Sequence, residues 1–326
     1  MPSITLGNLT LPSNIICAPM AGCTGFTWRK MLRRYHTGLI YCEMVKMDAL
    51  VRSDPGTYRI LDYEKDMHPI GAQVCGSNPK LAGQSAKMLE ELGFDVVDLN
   101  CGCPVDKVTK DGSGSGMLKN PDLIGEVLYH MVQATSKPVT LKIRAGWDED
   151  SINCADIVHV AEQAGAKAVA IHGRTRQQGY KGTANWDWIR ECKARANSIH
   201  VFANGDIVDP ESALKVYEQT GCDGILIARA LLGRPWLLSD IERALNGLPA
   251  QIRTPDDYQR ILLEHLDDIE SFCNTRLALI ELRRMGCWYL KKSPGSKHLR
   301  DALNKSKSIG EARAIAQSHD WSGFTP

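Results

Sequence analysis

The stretch HVFANGDIVDPESALKVYEQTGCDGILIAR (200–229) decides the fold. Its first apolar run, His200–Ala203, stops at Asn204-Gly205-Asp206. Residues Pro210–Thr220 then space their apolar side chains as an amphipathic helix, and Gly221 is a suitable C-terminal stop. A second run, Gly224–Ile227, ends in Ala228-Arg229. Runs that are apolar on both faces are what buried parallel strands require, so the stretch predicts one strand–helix–strand unit. The same unit recurs upstream. Candidate strands are Asn14–Cys17, Leu39–Cys42, Ile70–Val74, Val96–Leu99, Val139–Ile143 and Ala168–Ile171, with helical patterns at Lys80–Leu92, Asp122–Thr135 and Cys154–Ala164. Gly93 and Gly165 stop helices as Gly221 does. Eight strands with intervening helices are the count of an α/β (β/α)8 TIM barrel. A doubly wound open sheet is the competitor, and the absence of GxGxxG after the first strand disfavours its dinucleotide-binding form.

The chain has 326 residues, enough for a barrel of about 250 residues and a smaller appendage. Hydrophobic residues at 43% and charged residues at 24% exclude a disordered or fibrous chain. With 39 Lys+Arg against 38 Asp+Glu, the net charge of +1 excludes a globally basic nucleic-acid binder, though not a local basic patch. No apolar run approaches the ~20 residues of a membrane span. The N-terminus has no basic region followed by an apolar stretch, so no secretory signal is expected. Eleven scattered cysteines, odd in number and free of CxxC pairs, predict reduced thiols and a cytoplasmic protein. From about Leu248 the strands cease, and Pro255–Cys273 and Arg276–Leu290 read as helices. The expected organisation is a barrel domain at 1–247 and a helical domain at 248–326. Residues 256–270 hold six carboxylates, whereas 276–307 hold nine Lys/Arg against Glu281 and Asp301, a local net of +7. That segment is either a solvated helix surface or a footprint for backbone phosphates.

Unusual residues cluster where the strands end. Strand one runs into Ala18-Pro19-Met20-Ala21-Gly22, strand two into Glu43-Met44 and strand three into Cys75-Gly76. Strand four ends in Asn100-Cys101-Gly102-Cys103-Pro104, strand five carries Lys142 and Arg144, and strand six ends in His172-Gly173-Arg174-Thr175. In a barrel the carboxyl ends of the strands form the catalytic rim. Eight such ends in register predict a site there. Gly205 and Gly233 leave backbone N–H groups open to a phosphate, Lys142 and Arg229 supply positive charge, and His172 is a hydrogen-bond donor. The Gln73 amide suits the edge of a flat heteroaromatic ring. Together these describe a phosphorylated planar cofactor. Each also has a plainer reading: Arg229 in a rim ion pair, His172 as a structural histidine, Lys142 as the partner of a carboxylate.

Cys101-Gly102-Cys103-Pro104 leaves several chemistries open. Zinc needs four ligands, and no second cysteine or histidine pair accompanies these two, so no metal is expected. A one-residue spacer seldom permits a disulfide. A single thiol, mostly protonated near neutral pH, can deliver a proton to a developing carbanion. Two buried small residues would be the purely structural alternative.

Six strings, APMAG (18–22), NCGCP (100–104), LKIRAGW (141–147), IHGRTR (171–176), ANGDI (203–207) and ARALLGRPW (228–236), resemble those of the tRNA-dihydrouridine synthases, nearest the bacterial B type. The similarity runs in order over nearly the whole chain and includes WYL (288–290). It implies an FMN-dependent barrel with a C-terminal helical domain, using NADPH to reduce the C5=C6 bond of particular uridines in tRNA. It assigns Pro19, Met20, Ala21 and Gln73 to the isoalloxazine and Lys142 and His172 to flavin contacts. Arg144 falls beside the flavin or the target base, and Asn204, Gly205, Asp206, Ala228 and Arg229 fall around the ribityl phosphate. Cys103 matches the proton donor to C5, opposite a hydride delivered to C6, and Asn100 matches a residue touching the uracil. Arg283 and Arg284 match tRNA-binding cations. A monomer that binds tRNA, with no membrane and no metal, is expected. Two departures stand out: Ala228-Arg229 replaces the usual Gly-Arg, and Arg283-Arg284-Met285 replaces a common Arg-Lys-His run. A flavin barrel acting on a free pyrimidine or a dihydroorotate-like molecule is the alternative enzyme, and a non-catalytic flavin-binding RNA chaperone the alternative outside catalysis.

Overall fold

The structure is a computed structural model and describes residues 3–290, 296–322 and 324. Eight strands close the central barrel: β1 (Ile15–Cys17), β2 (Ile40–Tyr41), β3 (Ile70–Cys75), β4 (Val96–Cys101), β5 (Val139–Arg144), β6 (Ala168–His172), β7 (His200–Asn204) and β8 (Gly224–Ile227), and a two-residue strand, Val45–Lys46, adds to the same sheet beside the end of β3. Every neighbouring pair is parallel and in chain order. β8 pairs with β1 through Ile225 and Ile15, and β2 pairs with β3 through Ile40 and Ile70, so the sheet closes on itself. This is the expected barrel and not the open sheet. Five strands, β3 to β7, run one or two residues further than their apolar runs suggest, through Cys75, Cys101, Arg144, His172 and Asn204. The ladder uses only backbone groups, so polar side chains do not end it. Asn100 stays opposite Lys142, and His172 stays opposite both Arg144 and Asn204.

Seven helices of the shell follow: α1 (Phe26–Arg33), α2 (Pro79–Glu91), α3 (Pro121–Ala134), α4 (Cys154–Gln163), α5 (Asp187–Arg195), α6 (Pro210–Thr220) and α7 (Leu237–Leu245). Between β2 and β3 lie two shorter helices, Met47–Val51 and Pro55–Leu61. α2, α3 and α6 each start with Pro behind a capping residue. Asn78, Asn120 and Asp209 accept from the N–H groups of Leu81, Leu123 and Ser212. At the other end, Gly221 caps α6 at φ +64°.

Inside the barrel, Ile16, Tyr41, Val96, Ala168, Ala170, Phe202 and Leu226 form one apolar cluster. An antiparallel hairpin, Ile4–Leu6 with Leu9–Leu11, joins it through the fully buried Leu6 and Leu11. The strand list read from the sequence lacks this hairpin, although the two-residue Gly7-Asn8 turn between alternating apolar residues is a hairpin signal. The large rings in the interior need small neighbours. A Cβ on Gly71 would lie 2.3 Å from the Tyr41 ring, and one on Gly224 would lie 2.3 Å from Phe202 and 2.4 Å from the Asn14 carbonyl oxygen.

After α7 the described chain is helical: α8 (Pro255–Phe272), α9 (Thr275–Leu290), α10 (Lys297–Lys305) and α11 (Ile309–Ser318). Phe272 of α8 stacks on Phe26 of α1 at 3.7 Å, and Trp28 of α1 meets His265, Trp288 and Tyr289. The apolar core therefore runs without a break from the barrel shell into these helices. Part of the basic stretch, including Lys291 and Lys292, lies outside the described residues. Among the described residues, no helix is long and apolar enough to cross a membrane.

Gly224→Ala tests the interior packing, because the blocking group is partly backbone. We expect a loss of about 3 kcal/mol in urea unfolding, against about 1 kcal/mol for Gly221→Ala, whose Cβ would meet nothing within 4 Å and whose cost is conformational only. Equal costs would mean that Phe202 and the Asn14 carbonyl yield to the methyl group.

Candidate active site

A cleft of about 1200 Å³ opens at the carboxyl ends of the strands, with Trp288 and Tyr289 of α9 and residues 250–253 on its far wall. It gathers nearly every residue singled out in the sequence: Pro19, Met20, Ala21, Gln73, Asn100, Cys103, Lys142, Arg144, His172, Asn204, Gly205, Asp206, Ala228 and Arg229. Arg283 and Arg284 do not line it.

On the β3–β5 side, the site is a chain of buried amides. Asn100 Nδ2 donates to Gln73 Oε1 at 2.8 Å, and Gln73 Nε2 donates to Asp98 Oδ2 at 2.6 Å. Each amide retains one further N–H, and Gln73 also retains one further lone pair. Asn100 Oδ1 accepts from the N–H groups of Gly102 (3.2 Å) and Cys103 (2.9 Å), which shapes the turn that carries the second cysteine. The Cys103 carbonyl is held in turn by the Ser115 hydroxyl at 2.8 Å. Arg144 reaches three carbonyls, Gly102 at 2.8 Å and Thr175 and Gly179 at 2.9 Å each, so it ties this turn to the loop after β6. Burial lowers its pKa to about 10, which leaves it a cation.

The β5–β8 side gathers positive charge. Lys142 Nζ donates to Asn204 Oδ1 at 3.1 Å, and Asn204 Nδ2 donates to the Leu226 carbonyl at 2.8 Å. Burial, with Arg144 nearby, brings the Lys142 pKa down to about 8. His172 is pushed down to about 2 by burial and then by Lys142, Arg144, Arg174 and Arg229, so its ring is neutral. Its Nε2 lies 3.4 Å from Arg174 Nη1, a donor, which makes Nδ1 the protonated nitrogen. Arg174 also bonds Asp206 Oδ2 at 2.7 Å and the Gly182 carbonyl at 2.6 Å. With that support Asp206 holds a left-handed φ of +56°.

Whether these residues suit a phosphate can be tested on the backbone. Gly205 sits at φ +109°, and a Cβ there would lie 2.7 Å from the His172 ring. Trp186 Nε1 takes the Gly205 carbonyl at 3.0 Å, which in a trans peptide turns the Asp206 N–H the opposite way. Among the described residues, the N–H groups of Gly205, Asp206, Ala228 and Arg229 donate to no backbone acceptor outside the strand ladder. Arg229 lies 4.0 Å over the Tyr180 ring and enters no ion pair with a described residue. A bare backbone turn with free donors and an uncommitted guanidinium is a fitting anion cradle. Ala228 adopts φ −118°, outside the left-handed region that favours glycine.

The two cysteines of the rim have different surroundings. Cys101 is fully buried, with Sγ 3.5 Å from Met117 Sδ, and burial pushes its thiol well up. Cys103 is partly exposed and lines the cleft. On α9, Arg283 is exposed, whereas Arg284 pairs with Glu281 at 3.1 Å. Met285, the other departure, is buried in the apolar core. The sequence reading gave no role to Asp98, Arg174 or Tyr180. A carboxylate inside the apolar run Val96–Leu99 was a usable signal for the first, and a second arginine two residues after His172 for the next.

A family model described as dihydrouridine synthase matches residues 16–321. The tRNA-dihydrouridine synthase B of Pseudomonas aeruginosa is 40% identical over 308 residues, 94% of this chain and 92% of that one. The protein of the same name from Vibrio cholerae is 37% identical over 300 residues, covering 92% and 93%. A probable tRNA-dihydrouridine synthase 1 from Synechocystis is 34% identical, covering 96% and 88%. Among solved structures, histamine dehydrogenase from Rhizobium sp. 4-9 superposes with a TM-score of 0.57 at 13% identity, over 82% of this chain and 50% of that one. A 2-naphthoyl-CoA reductase does so at 0.56 and 11%, over 76% and 52%. These two likenesses speak for the barrel fold.

The contrast between the cysteines is measurable in the native protein. Iodoacetamide followed by peptide mapping should modify Cys103 at least about tenfold faster than Cys101, which should react only on unfolding. Comparable native rates would place both thiols within reach of the cleft.

Proposed function

The chain belongs to the dihydrouridine synthase family, and from that premise we propose that it reduces the C5=C6 bond of uridines in tRNA, with FMN on the barrel rim and NADPH as reductant. It is a flavin-dependent oxidoreductase of a tRNA-modifying family. The observation that carries the substrate chemistry is that Cys103, unlike Cys101, opens into the same cleft as the phosphate cradle and the amide edge.

Bound there, FMN supplies the hydride for uracil C6, and NADPH renews it. The chain's own residues do the rest. Asn204, Gly205, Asp206, Ala228 and Arg229 hold the phosphate through backbone N–H groups and one guanidinium. Pro19, Met20 and Ala21 bed one side of the ring system, and Gln73 offers its spare N–H and lone pair to the ring edge. Lys142 sets a positive charge nearby, and neutral His172 donates from Nδ1. Arg144 keeps the Cys103 turn in place beside the base. Asn100 orients the uracil, and the Cys103 thiol delivers its proton to C5.

A uridine stacked in folded tRNA cannot reach this thiol, so the base must be flipped out into the cleft. We assign the grip on the RNA to the helices after residue 247. The six carboxylates of 256–270 are largely answered from within: Arg260 meets Asp257 and Glu264, Arg313 meets Asp267 and Glu270, and Arg34 meets Asp268. In contrast Arg276, Arg283, Lys297, Lys305 and Lys307 are exposed and enter no ion pair with a described residue. Exposed, uncommitted cations are what backbone phosphates need, and an enzyme for a free pyrimidine has no use for them. A monomer in the cytoplasm, without metal, completes the reading.

The central test is single-turnover reoxidation of the reduced flavin by tRNA lacking dihydrouridine. Cys103→Ala should bind FMN and tRNA normally yet reoxidise at least about a hundredfold more slowly, as expected when a general acid is removed. Cys101→Ala should stay near wild type in rate. A wild-type rate for Cys103→Ala would transfer the proton delivery to water or another side chain.

The RNA surface has its own test. Arg283→Glu should weaken tRNA binding and lower the slope of log K against log salt by about one unit or more, leaving FMN bound. Arg283 is the cleaner probe, because changing Arg284 also strands Glu281. An unchanged salt slope would return this face to ordinary solvated surface.

A further inference from the structure

We propose that Asp98, in the barrel interior below the cleft, is a positioning residue that fixes which way the Gln73 and Asn100 amides face and so sets the Cys103 turn. The inference rests on the reading of the site given above. An ionised carboxylate only accepts hydrogen bonds. Gln73 must therefore turn Nε2 to Asp98 Oδ2, at 2.6 Å, and this leaves Oε1 to accept from Asn100 Nδ2 at 2.8 Å. Asn100 then presents Oδ1 to the two backbone donors, Gly102 and Cys103. Both ends of the chain demand the same orientation, since flipping either amide sets donor against donor. On its other oxygen Asp98 accepts from Thr140 Oγ1 at 2.5 Å, and that hydroxyl in turn lies 3.2 Å from the Tyr41 hydroxyl.

A carboxylate only 4% exposed is costly, and an apolar residue would pack the interior more cheaply. Burial raises the Asp98 pKa to about 6, against the opposing pull of Gln73, Thr140 and Lys142. The folded state therefore binds this proton more readily than the unfolded chain does. The Asp98 contribution to stability falls as pH rises through about 6, while the fixed amide orientation appears over the same interval. Stability and positioning run in opposite directions with pH. The titratable groups facing Asp98 are Lys142 of β5, lowered to about 8, and Tyr41 of β2 and Cys101 of β4, both pushed well up. None of the three titrates near pH 6, which leaves Asp98 as the member of this group that does.

Two substitutions separate positioning from bulk. Asp98→Asn keeps an acceptor oxygen for Gln73 but cannot titrate, and Asp98→Leu removes the acceptor. The first readout is the iodoacetamide rate of Cys103 in the full chain freed of flavin, as a ratio to wild type. For Asp98→Asn the ratio should approach one below pH ~6, where the wild-type carboxyl is protonated and, like the amide, can donate as well as accept. It should shift about threefold or more above pH ~7, where only the wild-type carboxylate dictates the orientation. For Asp98→Leu it should differ about tenfold at every pH. In the holoenzyme, the wild-type acid limb of kcat near pH ~6 should vanish in Asp98→Asn, with KM for tRNA unchanged. An acid limb retained by Asp98→Asn, a flat alkylation ratio across that interval, or wild-type alkylation of Asp98→Leu would overturn the proposal. If Asp98→Leu does not fold, the Asp98→Asn comparison decides alone. Failure of the wild type to bind FMN would sink the reading of the site, and the alkylation ratio would still decide the relay.

Discussion

Closure of the sheet between β2 and β3 is the constraint on which the rest depends. Two backbone pairs, Ile40 with Ile70 and Tyr41 with Gly71, turn a row of parallel strands into a ring without edges. Only in a ring do the carboxyl ends of β1 and β8 come round to face those of β3 to β5. The Pro19–Ala21 turn, the Asn100–Cys103 turn and the Gly205 cradle then border one cleft. Closure also dictates the interior. A ring of this size has to be filled by side chains, and Tyr41 and Phe202 fill it only because Gly71 and Gly224 leave them room.

The electrostatics of the rim follow from which side chains can be satisfied there. Burial, and then the nearby Lys142, Arg144, Arg174 and Arg229, keep His172 neutral. Of these, Arg144 is committed to three carbonyls and Arg174 to Asp206, His172 and the loop after β6. Their charge is structural. Arg229 and Lys142 form no ion pair with a described carboxylate, and they line the same cleft as residues 205–206 and 228–229. Positive charge unmatched by a described carboxylate, beside a glycine turn, is the arrangement that the proposed phosphate would complete.

Much of this was legible in the sequence because both signals were local. Apolar runs such as Gly224–Ile227 and the glycine after α6 fixed the strand–helix alternation, and polar residues at the strand ends marked the rim. The strings from APMAG to ARALLGRPW added the family. What the sequence could not display were relations across the ring. Nothing near Arg144 in the chain indicates that it reaches Gly102 and Gly179. The consequence of a carboxylate at position 98 depends on Gln73, 25 residues earlier and one strand over. The hairpin at Ile4–Leu11 was missed for another reason: its turn signal is clear, but its place in the fold is set by the barrel interior it packs against.

The helices after residue 247 are coupled to the chemistry through packing rather than through a tether. Trp28 on α1 meets His265 of α8 and both Trp288 and Tyr289 of α9, and the Tyr289 hydroxyl and Thr27 hold the two ring nitrogens of His265 at 3.2 and 3.3 Å. His265 is buried and its pKa falls to about 3, so this joint remains neutral and does not change with physiological pH. Trp288 and Tyr289 are also part of the cleft wall, one to two helical turns beyond Arg283 on the same helix. A helix of this length transmits displacement as a rigid rod, and its apolar side is anchored to the barrel shell. On the proposed reading, RNA held at the exposed face of α9 would be presented to the cleft at a distance and angle that the shared core determines. Selection of a uridine would then be a matter of rigid geometry, with base chemistry read only once the nucleotide has entered the cleft.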